Sequence, residues 1–221
     1  MICVLVAACG VVTLAVVSLA QIPAPVPQSP TDPARKANAR SGAATAPARE
    51  PFDGASIEKM AAQCVGFETE AGRIEIEMMP EVAPESVRNF LNLASTAALD
   101  TTTFSRVVKG FIIQGGNLST SEKWGVELSK RAARKLPDEP GLVKHVRGIV
   151  SMARTDEPNS ASTHFFILVG DGPHLNSKFA AFGTVRKGIE VADAINGAQT
   201  EGEKPINAVR INRAVVAPCV K

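Results

Sequence analysis

Phe104-Ser105-Arg106-Val107-Val108-Lys109-Gly110-Phe111-Ile112-Ile113-Gln114-Gly115-Gly116-Asn117 is the stretch on which the fold turns. Two consecutive strand-like runs, 102–108 and 110–114, meet in it. Working outward, further runs of this kind stand at 148–153, 164–169, 180–185 and 207–216. Upstream, 65–79 is broken by Ala71-Gly72, beyond which Ile74, Ile76 and Met78 alternate with Glu75 and Glu77, the period of a half-buried strand in a hairpin. Val87, Phe90, Leu91 and Ala94 recur at helical spacing in 84–96, with Pro84 near the first turn where its missing N–H costs little. A second helix over 189–196 puts Val191, Ala194 and Ile195 on one face and stops at Gly197, a residue suited to a left-handed C-terminal cap. The pattern predicts a mainly β domain, a closed eight-stranded antiparallel barrel over 65–216 capped by two α-helices, preceded by a short helix over 56–63.

The N-terminal quarter is different. Residues 2–20 carry no charge and are rich in Val, Ala and Leu, and Ser18 and Ala20 place small side chains three and one residues before a cut at Gln21. Residues 1–20 therefore read as a signal peptide or a membrane anchor; with an upstream start, Leu5-Val6-Ala7-Ala8-Cys9 would resemble a lipobox. Residues 21–51 alternate Pro with Ala, Ser and Thr and lack apolar periodicity, so they read as a disordered linker. The folded domain is assigned to 52–221. An exported protein, periplasmic or secreted, follows from these readings, with membrane contact only through 1–20 if that segment is retained.

The chain has 24 basic and 22 acidic residues among 221, a net charge of +2, so no overall field draws it to nucleic acid. Its three histidines, His145, His164 and His174, lack the spacing of a metal site. Ser105, His164 and Asp171 supply the residue types of a hydrolase triad without a Gly-x-Ser-x-Gly elbow, so hydrolysis is set aside. Neither metal nor cofactor is expected. The basic stretch 118–136 reads as a surface loop or short helix carrying a solvated charge run.

The opening stretch, followed in order by Gly148-Ile149-Val150-Ser151-Met152-Ala153-Arg154, by His164-Phe165-Phe166-Ile167 with Leu175, and by Ala180-Ala181-Phe182-Gly183-Thr184-Val185, resembles the cyclophilin family of peptidyl-prolyl cis-trans isomerases, in its exported bacterial form. The resemblance implies a monomer acting on proline-containing polypeptides. It makes Arg106 the catalytic donor, with Gln114 beside it. Phe111, Ile112, Phe166 and Leu175 would form the proline pocket, and Ala153, Arg154, Ser160 and His164 the side pocket; His174 and Phe179 complete the rim, while Phe165 points into the core. Ser105, His164, His174 and Phe179 depart from the usual family residues, which keeps open a second function: a non-catalytic chaperone or scaffold module that grips proline segments in the same groove. Because the family's first and last strands are antiparallel neighbours, the resemblance also brings Cys64 near Cys219, which an oxidising compartment would join.

Overall fold

The computed structural model describes residues 49–219, and the expected leader and most of the linker lie outside them. The strands are β1 (Gln63–Thr69), β2 (Gly72–Met78), β3 (Arg106–Val108), β4 (Ile112–Gly115), β5 (Ile149–Met152), β6 (Phe165–Leu168), β7 (Ala181–Lys187), β8 (Thr200–Glu201), β9 (Lys204–Pro205) and β10 (Ile211–Pro218). Eight of them form one antiparallel sheet in the order β10-β1-β2-β7-β5-β6-β4-β3, and β8 and β9 pair separately as a small hairpin. Among the described residues four α-helices form: α1 (Ile57–Ala61), α2 (Pro84–Ser95), α3 (Val126–Ala132) and α4 (Ile189–Asn196).

The curled eight-stranded antiparallel sheet and the helices α2 and α4 match the sequence reading; the closed barrel does not. The edge strands β10 and β3 share no ladder. A single bridge, Thr103–Arg210, spans the gap, flanked by Thr101 N donating to Ile211 O at 2.8 Å and Phe104 N to Val209 O at 2.9 Å. Beyond it, the N–H of Val107 donates to Glu203 O in the β8–β9 hairpin at 2.8 Å. The hairpin thus takes the place of a closing strand. Gly197 also corrects expectation: it is right-handed, at φ −67°, and α4 is instead preceded by the left-handed Gly188 at φ 86°.

Helix α2 buries Val87, Phe90, Leu91 and Ala94, the stripe its spacing predicts, and packs on β10 and β7. Its N-cap, Ala83, has no side-chain acceptor to offer. Glu139 supplies one from 53 residues away: Oε2 accepts from Ser86 N at 2.8 Å and Ser86 Oγ at 2.7 Å, and Oε1 accepts from Glu85 N at 2.9 Å. The basic stretch is likewise more than a solvated run, because Arg131 in α3 is buried. Its Nε donates to Glu50 Oε1 at 2.9 Å and its Nη2 to Asn89 Oδ1 at 2.7 Å, so α3 ties the entering chain to α2. The main core lies on one face of the sheet around Phe67, Phe90, Phe104, Phe165 and Phe182, whose rings pack at centroid distances of 4.8–6.5 Å. Cys64 and Cys219 are joined by a disulfide with Cα atoms 5.0 Å apart, linking β1 to the residue just after β10.

Candidate functional site

Directly opposed residues of an antiparallel ladder share a face. Across β3, β4, β6, β5 and β7 the register runs Arg106–Gln114–Phe166–Ser151–Ala181, and its neighbouring row runs Val107–Ile113–Ile167–Val150–Gly183. The second row faces the core. The first faces the other way, where Ile112, Ile149, Phe166, Leu168, Leu175 and Ala181 form a separate apolar cluster. The β3–β4 turn that sets this register contains Gly110 in the left-handed region, at φ 68°. Gly116, at φ 81°, closes the far end: a Cβ there would lie 2.1 Å from Thr163 O, and Thr163 Oγ1 donates to Gly116 O at 2.8 Å. That contact fixes the backbone leading into His164.

Above this face lies a cleft of about 630 Å³, a size suited to a short peptide or small ligand. Its lining includes Arg106, Gln114, Phe111, Ile112, Phe166, Leu175 and Phe179, together with Ala153, Arg154, Ser160 and His164. His174 stands apart from this lining. It is exposed and stacks obliquely on Phe111 at 5.3 Å between centroids, because the single turn Pro173–Leu175 sends Leu175 inward and His174 outward. In the side pocket, Ser160 and Arg154 are engaged in hydrogen bonds of their own. Ser160 Oγ is engaged in its own loop, donating to Glu157 O at 2.6 Å and accepting from Thr155 Oγ1 at 2.9 Å. Arg154 donates to Thr155 O at 2.8 Å and Lys178 O at 3.2 Å while lying over the Phe179 ring at 5.3 Å.

Arg106 dominates the polar edge. Its Nη1 donates to Gln114 Oε1 at 3.1 Å and its Nε to Glu203 Oε2 at 2.7 Å, leaving Nη2 without an acceptor among the described residues. The Arg106 hydrogen bond holds the Glu203 carboxyl below the usual carboxylate range. Glu203, Val108 and Ser162 line the cleft but were missed in the sequence, where a glutamate in a Glu-Gly-Glu turn carries no periodic signal. Burial pushes His164 below the ordinary histidine value, so its ring is neutral around pH 7. A neutral imidazole adds a polar group to the lining without adding to the charges of Arg106, Glu203 and Arg154.

The cleft is an apolar trough with the free Nη2 donor of Arg106 at its edge. The chain belongs to the cyclophilin-type peptidyl-prolyl cis-trans isomerases: the model of that family matches residues 64–216. Peptidyl-prolyl cis-trans isomerase A of Dickeya dadantii is 39% identical over 146 residues, covering 64% of this chain and 75% of that protein. The isomerase CYP23 of Arabidopsis thaliana is 39% identical over 141 residues, 63% of this chain and 62% of the plant protein, so the match spans less than two thirds of that relative. A crystal structure of a Cryptosporidium parvum cyclophilin-type isomerase, determined in the presence of the dipeptide Ala-Pro, superposes with a TM-score of 0.62 at 30% identity over 70% of this chain and 98% of the parasite chain.

Proposed function

We propose that the protein catalyses rotation about X-Pro bonds of exported polypeptides, with Arg106 as the group that stabilises the twisted amide. The observation that carries this reading is the unengaged Nη2 of Arg106 at the edge of the apolar trough. A planar amide resists rotation by ~18–20 kcal/mol because its nitrogen lone pair is delocalised. Twisting localises that pair on nitrogen, where Nη2 can donate to it, so the bond forms in the transition state and is absent in the ground state. A hydrogen bond to a charged group contributes ~1.5–3 kcal/mol, on the order of ten- to a hundredfold in rate. Phe111, Ile112, Phe166 and Leu175 hold the proline ring, and Gln114 keeps the guanidinium over it.

Export rests on the apolar leader and on the Cys64–Cys219 bond, since disulfides persist in oxidising compartments. Arg106→Ala should lower isomerisation of an Ala-Pro peptide by at least about tenfold with an unchanged unfolding midpoint. Isomerisation rates by NMR exchange, read beside peptide titration, test this: a variant as fast as the parent removes Arg106 from the chemistry. Peptide binding by a parent protein with no isomerisation would instead favour the holding module.

A further inference from the structure

Arg106 is held from two sides by parts of the chain far apart in sequence. Gln114 is its register partner in the next strand, whereas Glu203 lies 97 residues on, at the turn between β8 and β9. That hairpin is fastened where it meets the site. Val107 N donates to Glu203 O at 2.8 Å, so the residue beside Arg106 holds the backbone of the residue that receives its side chain. The stalk of the hairpin is stapled to the β3–β4 turn as well. Lys109 Nζ donates to Asn196 O at 2.9 Å and to Ala198 O, Gly110 N donates to Asn196 Oδ1 at 2.8 Å, and Asn196 Nδ2 donates to Val108 O at 2.9 Å and Ile112 O at 3.0 Å. Glu203 is therefore presented from an anchored hairpin.

The ion pair itself is open to water, with 44% of the Arg106 side chain and 55% of the Glu203 side chain exposed, so it adds little to folding stability. Its consequence is geometric. An arginine reaching over a cleft can rotate about its terminal torsions, and a planar fork bound at two different nitrogens cannot do so freely. We propose that Glu203 is a positioning residue of this site: by accepting from Nε it fixes the guanidinium plane so that Nη2 is directed at the prolyl nitrogen. This rests on the reading of Arg106 given above. The remaining charged and titratable groups nearby are Glu201 and Lys204 on the same hairpin, and Arg154 and His164 in the cleft lining. The bond to Arg106 keeps the Glu203 carboxylate ionised through neutral pH, and the contact is lost only as the pH falls through its lowered value.

The test measures kcat and KM for an Ala-Pro peptide by NMR exchange in Glu203→Ala, Glu203→Gln, Arg106→Ala and the Arg106→Ala/Glu203→Ala pair. Glu203→Ala should lose roughly three- to tenfold in kcat with KM unchanged, because the donor is present but misdirected. Glu203→Gln should recover most of that loss, since its amide oxygen accepts the same bond. On acidification the parent should slow relative to Glu203→Gln; His164 titrates in both and cancels. In the Arg106→Ala background, Glu203→Ala should add nothing. Unchanged kcat in Glu203→Ala beside a disabled Arg106→Ala overturns the positioning role alone, as does a rise in KM at constant kcat, which would make Glu203 a substrate contact. An active Arg106→Ala would instead overturn the reading of Arg106.

Discussion

The two faces of one pair of strands make two different environments. On β6, Phe165 and Ile167 enter the main core while Phe166 and Leu168 enter the cleft-side cluster, and on β4 Ile113 and Ile112 divide the same way. Every one of these six side chains is buried. Burial alone therefore does not separate structural from functional apolar residues. What separates them is what lies across from each: five aromatic rings packed on one another on the core side, and a cleft edged by Arg106 on the other.

The largest expected effect is on the core face. Phe165 stacks on Phe67 at 5.5 Å and meets Phe90 edge-on at 5.2 Å, so it is enclosed by partners that cannot collapse into its space. Phe165→Ala should cost ~3–5 kcal/mol in denaturant unfolding, near the whole stability of many domains. A loss below about 1 kcal/mol would mean that the core is no more tightly packed than the cleft wall.

Much of this division was legible in the sequence, because strands alternate with a period of two and the 104–117 block fixes which residues share a face with Arg106. The stripe of α2 and the orientation of Phe165 against Phe166 follow from the same periodicities. What escaped is whatever tertiary docking supplies. Glu139 caps α2 from 53 residues away, Glu203 meets Arg106 across 97, and neither position differs locally from an ordinary surface glutamate. The unclosed sheet has the same origin, since counting strands cannot reveal that a hairpin takes the Val107 donor. His174 stands outside the cleft lining because the single turn Pro173–Leu175 buries Leu175 and leaves its neighbour exposed, an orientation that no periodicity in the sequence specifies.

The intermediate effect is on the cleft face. Phe166 touches Phe179 edge-on at 5.9 Å, and one side of its ring borders the cleft instead of packed protein. Phe166→Ala should therefore cost less than Phe165→Ala, about 1.5–3 kcal/mol, while raising the Kd for an Ala-Pro peptide. Calorimetric titration of folded material checks the binding. Equal stability losses in the two variants, with peptide affinity intact in Phe166→Ala, would erase the distinction between the faces.

The smallest effect sharpens the comparison through pH. The histidines of the chain, three in all, flank the cleft side: His164 lines it, His174 stacks on Phe111, and His145 packs beside the loop that carries His174, accepting Gly172 N at its carbonyl oxygen at 2.8 Å and contacting Asn176 Oδ1 through Nδ1 at 3.3 Å. Burial pushes both His145 and His164 below the ordinary value, the Asn176 contact partly opposing it for His145, and the buried His145 Nε2 has no partner among the described residues. A histidine held neutral in the fold takes up a proton more readily once unfolded. Its stabilising effect is then complete above the unfolded value of about 6.5 and is lost progressively as the pH falls below it toward the folded value. The melting temperature should thus fall between pH 7.5 and 5.5, and His164→Gln should flatten that slope without abolishing it, because His145 still titrates. Tm measured across this window in the parent and the variant decides the matter: identical slopes would mean that His164 is as accessible to protons in the cleft as in the unfolded chain, and that the cleft side carries no buried titrating group beyond His145.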